Sequence, residues 1–145
     1  MRELLDVCSG RNESCVRLWG TGTPRREFLY RGEMADASVF LMNRPDEQFR
    51  SVLNPTPSAP PLINIGTGDI GTGEDLTVRE LAETIARVVG YEGKITFDPS
   101  KPDGTPRKLL DVSRMRALGW GAEVAMRNGL QSAYDDFLRQ KKFAQ

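Results

Sequence analysis

Histidine is absent from all 145 residues of the chain. That absence removes Ser-His-Asp and Cys-His catalysis from within the chain, and any proton transfer would fall to Tyr, Lys, Asp or Glu. Cysteine is nearly as scarce. Cys8 and Cys15 are the only two, too few for a disulfide scaffold or, without histidine to complete a ligand set, for a zinc site, so no metal is expected. They read as ordinary thiols of a reducing cytosol. Net charge is missing as well: 20 basic and 20 acidic side chains cancel, leaving no long-range field to recruit nucleic acid or an anionic membrane. Basic clusters must then act locally. No run is long and apolar enough to span a membrane, and the N-terminal MRELLDVCSG carries acids where a signal peptide needs an apolar core. A soluble, cytoplasmic protein is the expectation. The Tyr-x-x-x-Lys pair of short-chain reductases is also wanting, since Met34, Ile95 and Leu138 stand four residues after Tyr30, Tyr91 and Tyr134.

What is present fits a single domain, 1–145, with a core of its own. Residues 2–7 have about two turns of helical character and, with the polar stretch to residue 14, read as the remnant of a longer helix and a loop. Residues 15–19 form a β-type run, and EFLY at 27–30 a second, with two arginines at the mouth between them. Residues 33–43 are compatible with a helix ended by Pro45, and Met34, Ala37, Val39, Leu41 and Met42 are its expected core residues. Five prolines at 44–61 mark a surface connection. LINI at 62–65 suits a buried strand. After it, IGTG followed by an acid occurs twice, at 65–69 and 70–74, as a small tandem duplication.

The clearest helix spans 77–89: Thr77 and Glu80 make a capping box, Gly90 gives a left-handed stop, and Val78, Leu81, Ile85, Val88 and Val89 form a stripe. KITF at 94–97 alternates as a strand, and DPSKPDGTPRK at 98–108 follows as a loop rich in Pro, Gly and charge. Ser113 is placed to cap a short helix that Gly119 ends. Residues 123–142 carry a last helix, with Gly129 in its interior. Alternating strands and helices argue an α/β fold.

Two loops share one chemistry. In WGTGTPRREFLY at 19–30, Trp19 can stack on a flat ring, Gly20 and Gly22 free the backbone, and Arg25 and Arg26 offer guanidinium forks that pair bidentately with phosphate. In the second loop Lys101, Arg107 and Lys108 surround Asp103, a carboxylate able to accept from hydroxyls. If the loops converge they could hold a nucleotide diphosphate by charge-assisted hydrogen bonds. The same residues serve equally well as a tight turn and a solvated, self-balanced charged loop. Gly66, Gly68 and Gly71 form a G-x-G-x-x-G after LINI, the spacing of a dinucleotide site. That fingerprint needs its helix to begin at the glycines, whereas the cap Thr77 lies six residues past Gly71, and removing one copy of the duplication removes the match.

WGTGTPRREFLY, the INIGTG turn, LTVRELAETIARVVGY and FDPSKPDGTPRKLLDV closely resemble the C-terminal portion of the GDP-L-fucose synthase family, in the extended short-chain dehydrogenase/reductase superfamily. The resemblance runs from Val16 to the C-terminus. It implies a substrate-binding α/β domain of an NADP-dependent enzyme that epimerises C3 and C5 of GDP-4-keto-6-deoxy-D-mannose and reduces C4 by hydride transfer. By motif, Trp19 and Arg26 match GDP-sugar contacts, and Asp103 and Lys108 match contacts in the second substrate loop; no catalytic residue carries over. The family's Rossmann half, with its Ser/Tyr/Lys set and epimerisation Cys and His, has no counterpart in these motifs. The resemblance therefore implies a chain that binds GDP-sugar but is inactive and binds no NADP(H) alone, that could be completed by a separately encoded Rossmann half, and whose relatives are homodimers. Arg31, Gly32 and Glu33 replace the family's V-D-D after FLY. Two other readings stand beside this one: a non-catalytic nucleotide-sugar module, and a dinucleotide-binding fragment using Gly66, Gly68 and Gly71.

Overall fold

A computed structural model describes residues 6–7, 15–53, 60–67 and 75–143. The chain divides into two compact units, each assembled from segments distant in sequence. One unit comprises Met1–Arg26, Leu76–Lys108 and Leu130–Gln145, and the other Glu27–Asp75 and Leu109–Gly129.

The first unit holds the six strands found among the described residues, in two small sheets. β1 (Asp6–Val7) pairs antiparallel with β2 (Cys15–Trp19), which pairs in parallel with β5 (Lys94–Asp98) from Cys15↔Lys94 to Trp19↔Asp98. The second sheet has the order β4 (Leu76–Thr77), β3 (Arg25–Arg26), β6 (Arg107–Lys108). Between β4 and β5 runs α3 (Val78–Val89). Its start is set as the capping box requires: Thr77 Oγ1 accepts from the Glu80 amide at 3.1 Å, and the Glu80 carboxylate accepts from the Thr77 amide at 2.8 Å. Gly90 ends it with φ +67° and nothing within 4 Å of a Cβ placed there, so this glycine is chosen for backbone conformation and not for space.

The second unit contains α1 (Arg31–Met42), α2 (Asp46–Val52) and α4 (Ser113–Ala117), around a core of Ala37, Met115 and Trp120. Leu29, Phe40, Leu41, Ile63, Ile65 and Ala122 pack against it. Polar groups tie this core to its coverings. Trp120 Nε1 donates to Asp36 Oδ2 at 2.8 Å, and Arg114 Nη1 donates to the Pro60 and Leu62 carbonyls at 2.6 Å each. Glu33 is buried, and its Oε1 accepts the amides of Glu123 at 2.5 Å and Val124 at 2.8 Å, just ahead of α5 (Met126–Phe143). The glutamate after FLY thus has a packing role. Gly129 lets α5 approach Tyr30, whose Cβ would stand 3.2 Å from a methyl at that position.

Several expectations are corrected. Asp6 and Val7 are strand, not helix, because the edge of β2 offers Arg17 and Val16 as ladder partners; residues 2–5 and 8–14 lie outside the description. Cys15 is disulfide-bonded and not a free thiol; Cys8 is outside the described residues. The strand expected at 27–30 is instead Arg25–Arg26, since its ladders stop at Leu76 and Lys108, the partners of Arg26. LINI has no strand partner among the described residues and packs as irregular chain, with Leu62 exposed. Residues 46–52 of the proline-rich connection are helical. On α1, Met34, Val39 and Met42 are exposed rather than core, and on α3 Ile85 is exposed. Ser113 is the first residue of α4; its amide is received by Asp111 Oδ1 at 2.9 Å, so the aspartate two residues earlier does the capping. The last helix begins at Met126, three residues later than expected, and Phe137 and Leu138 on it are exposed. Most of the duplicated turn, 68–74, is not described.

Candidate functional site

Trp19, Arg26, Asp103 and Lys108 all belong to the first unit. Trp19 ends β2 opposite Asp98 and is 42% exposed, enough to leave ring surface open for stacking. The Lys101 ammonium lies 5.5 Å from the centroid of its ring. An aromatic face and a cation are therefore neighbours at this end of the site.

β3 and β6 carry the remaining cations. Their parallel register puts Arg25 opposite Arg107 and Arg26 opposite Lys108. Neighbouring residues of a strand point to opposite faces, so Arg26 shares a face with Lys108 while Arg25 shares the other with Arg107. Arg26 Nη1 donates to the Arg25 carbonyl at 2.7 Å, and its Nη2 lies 3.8 Å from where a Cβ on Gly104 would be. A fork held at one corner keeps its other N–H groups for an anion.

The loops that join these strands are tied to each other. Gly20 donates to the Asp98 carbonyl at 2.9 Å, Arg25 to the Pro106 carbonyl at 2.8 Å and Val78 to the Pro24 carbonyl at 2.9 Å. The Asp103 carboxylate accepts the Thr21 amide at 2.6 Å and the Thr21 hydroxyl at 2.8 Å. These bonds, the hydroxyl first, hold the Asp103 carboxyl below its usual range. Asp98 is likewise lowered by the Ser100 hydroxyl and amide, which close the turn leading into the second loop. Thr21 and Arg79 are the residues that sequence reasoning missed. Arg79 donates to the Thr21 carbonyl at 3.1 Å through Nη2 and to the Gly22 carbonyl at 3.0 Å through its amide. The signal for Thr21 was its place between two glycines, where a backbone too free to hold itself needs an outside tether.

Of the three glycines of the apparent dinucleotide fingerprint, Gly66 is the one among the described residues, and it faces a carboxylate. A Cβ on Gly66 would stand 3.0 Å from Glu27 Oε2, and Thr67 Oγ1 donates to that same oxygen at 3.4 Å. A carboxylate facing the glycine repels a pyrophosphate. The other Glu27 oxygen receives the Leu110 amide at 2.8 Å, which fixes the acid in place.

The model of the NAD dependent epimerase/dehydratase family matches residues 5–66. Over most of its length the chain is similar to GDP-L-fucose synthases: the Escherichia coli K12 GDP-L-fucose synthase is 48% identical over 133 residues, which are 92% of this chain and 39% of that protein. Among solved structures, a GDP-6-OMe-4-keto-L-xylo-heptose reductase from C. jejuni superposes with a TM-score of 0.72 at 31% identity, over 87% of this chain and 34% of its own. GDP-mannoheptose C4 reductase from Campylobacter jejuni, solved with NADP bound, gives 0.65 at 29% identity, over 86% and 35%. The chain thus spans well under half the length of the relatives it matches.

Proposed function

We propose that this chain supplies the GDP-sugar-binding part of a GDP-L-fucose synthase, in which GDP-4-keto-6-deoxy-D-mannose is epimerised and reduced with NADPH to GDP-L-fucose. The observation that carries the reading is the register Arg26↔Lys108, which sets one cation from each loop on a common face. Trp19 then stacks on the guanine or sugar ring, Arg26 and Lys108 hold the diphosphate, and Asp103 is the carboxylate of the site. The chemistry calls for a hydride donor and for proton-transfer groups. NADPH supplies the hydride, but the Glu27 carboxylate at Gly66 does not suit a dinucleotide phosphate, so the cofactor is assigned to sequence beyond these residues, as is the catalytic set. That remainder is a Rossmann half, carried on the same polypeptide or encoded separately, and the assembled enzyme is a cytoplasmic homodimer.

Calorimetric titration of the purified chain with GDP and with NADPH tests this. Heat from GDP with a Kd in the micromolar to millimolar range, none from NADPH, and no NADPH oxidation with the keto-sugar are the expected results. NADPH binding that is lost in Gly66→Ala would transfer the reading to the dinucleotide alternative, and turnover by the chain alone would show that it carries its own catalytic set.

A further inference from the structure

The loop after Trp19 is held from two sides by side chains distant in sequence. On one side the two oxygens of Asp103 divide Thr21 between them, one taking the amide at 2.6 Å and the other the hydroxyl at 2.8 Å. Having donated to Asp103, Thr21 Oγ1 can still accept: Thr23 Oγ1 lies 2.7 Å away and the Thr23 amide donates to it at 3.2 Å. On the other side Arg79 bonds the Thr21 and Gly22 carbonyls while its guanidinium lies 3.9 Å above the Phe97 ring. The two glycines admit this closeness and nothing larger. A Cβ on Gly20 would meet Asp103 Oδ1 at 2.2 Å and one on Gly22 would meet Phe97 Cε1 at 2.4 Å, and both residues have positive φ, +81° and +78°.

From this geometry we infer that Asp103 is a positioning residue: it latches the 20–23 loop through Thr21, opposite Arg79, and so fixes Trp19 and Arg26 at the two ends of that loop. The inference rests on the nucleotide-sugar reading of the site and changes what the carboxylate does there. An anion beside a diphosphate site is repulsive unless it has other work, and a carboxylate bonded by an amide and a hydroxyl has such work. Both of its oxygens are engaged within the chain, so a ligand hydroxyl would have to share them with Thr21. Pre-ordering the loop raises affinity without contact, because the ordering no longer occurs on binding.

The test is a double-mutant cycle in the full chain, read by GDP titration and, without ligand, by hydrogen exchange at the Thr21 amide. Asp103→Ala and Thr21→Val should each weaken GDP roughly three- to tenfold, with the double variant no weaker than Asp103→Ala alone and Thr21→Ser restoring the wild-type affinity. Thr21 amide exchange should be slow in the wild type and fast in Asp103→Ala. Losses that multiply in the double variant, or a loss of affinity in Asp103→Ala with Thr21 amide exchange unchanged, would mean that Asp103 contacts the ligand itself and would overturn the inference. So would a Thr21 amide that exchanges freely in the wild type. A protected amide in a chain that binds no GDP would support the latch while removing the nucleotide reading.

Discussion

Arg26 and Lys108, 82 residues apart in sequence, are directly opposed across a parallel pair of two-residue strands. Two residues of ladder are little secondary structure, and their hold on each other comes from the loops around them: the Arg25 amide on the Pro106 carbonyl, and Thr21 on Asp103. The site is therefore only as ordered as its loops. Substitutions that never touch a ligand should change what it binds.

Gly22→Ala is such a substitution. Its φ of +78° costs a residue with a Cβ about 1–2 kcal/mol, and the new methyl would overlap the Phe97 ring. The variant should melt several degrees lower and bind GDP more weakly than the wild type. Unchanged melting by circular dichroism would mean that the loop relaxes freely, and the packing account of it would fail.

Capping of α3 is a purely local contribution. Thr77→Ala should cost about 0.5–2 kcal/mol in urea unfolding, while Thr77→Ser should cost much less because the hydroxyl that receives the Glu80 amide is kept. Equal losses from the two would show that the threonine acts through its methyl and not as a cap.

The second unit depends on Met115, which is fully buried against Ala37 and Trp120. Met115→Ala should destabilise by about 2–5 kcal/mol. Trp120→Phe should cost less, since most of the ring volume stays, but it leaves Asp36 Oδ2 without its 2.8 Å donor. A double-mutant cycle with Asp36→Ala measures that bond, and zero coupling would count against it.

Asp98, Asp103 and Asp111 are all held below the ordinary aspartate value by hydrogen bonds from Ser100, Thr21 and Ser113 respectively. The unfolded chain therefore binds more protons in acid than the folded one, and stability rises with pH. The contribution is complete above the unfolded value of about 3.9 and is lost as pH falls through the depressed folded values. Urea midpoints should drop between pH 5 and 3, and less steeply in Asp103→Ala. A variant with the wild-type slope would show that Thr21 does not shift this carboxyl.

What could be read from sequence was whatever is decided locally. The α3 cap and stop and the β2 and β5 runs appear in the structure as expected, because capping chemistry and alternation act over a few residues; Trp19, Arg26, Asp103 and Lys108 fall in one unit. Tertiary partners decided the rest. Asp6–Val7 became strand through β2, LINI packs Ile63 and Ile65 on the core as irregular chain with no ladder partner among the described residues, and Met34 and Met42 lie exposed on a helix whose pattern promised core. Thr21 and Arg79 were invisible for the same reason, since their meaning lies in Asp103 and Phe97, 82 residues away in one case.

The account turns on Arg26 and Arg25, adjacent in sequence but on opposite faces of β3. Calorimetric titration of GDP into the wild type, Arg26→Ala and Arg25→Ala tests it most directly. Losing the Arg26 fork should cost roughly 1.5–3 kcal/mol of binding free energy, the range for a charged hydrogen bond, whereas the Arg25 variant should lose little, and that little should vanish in salt. Equal losses from both would mean a diffuse positive surface in place of a diphosphate clamp and would contradict the assignment.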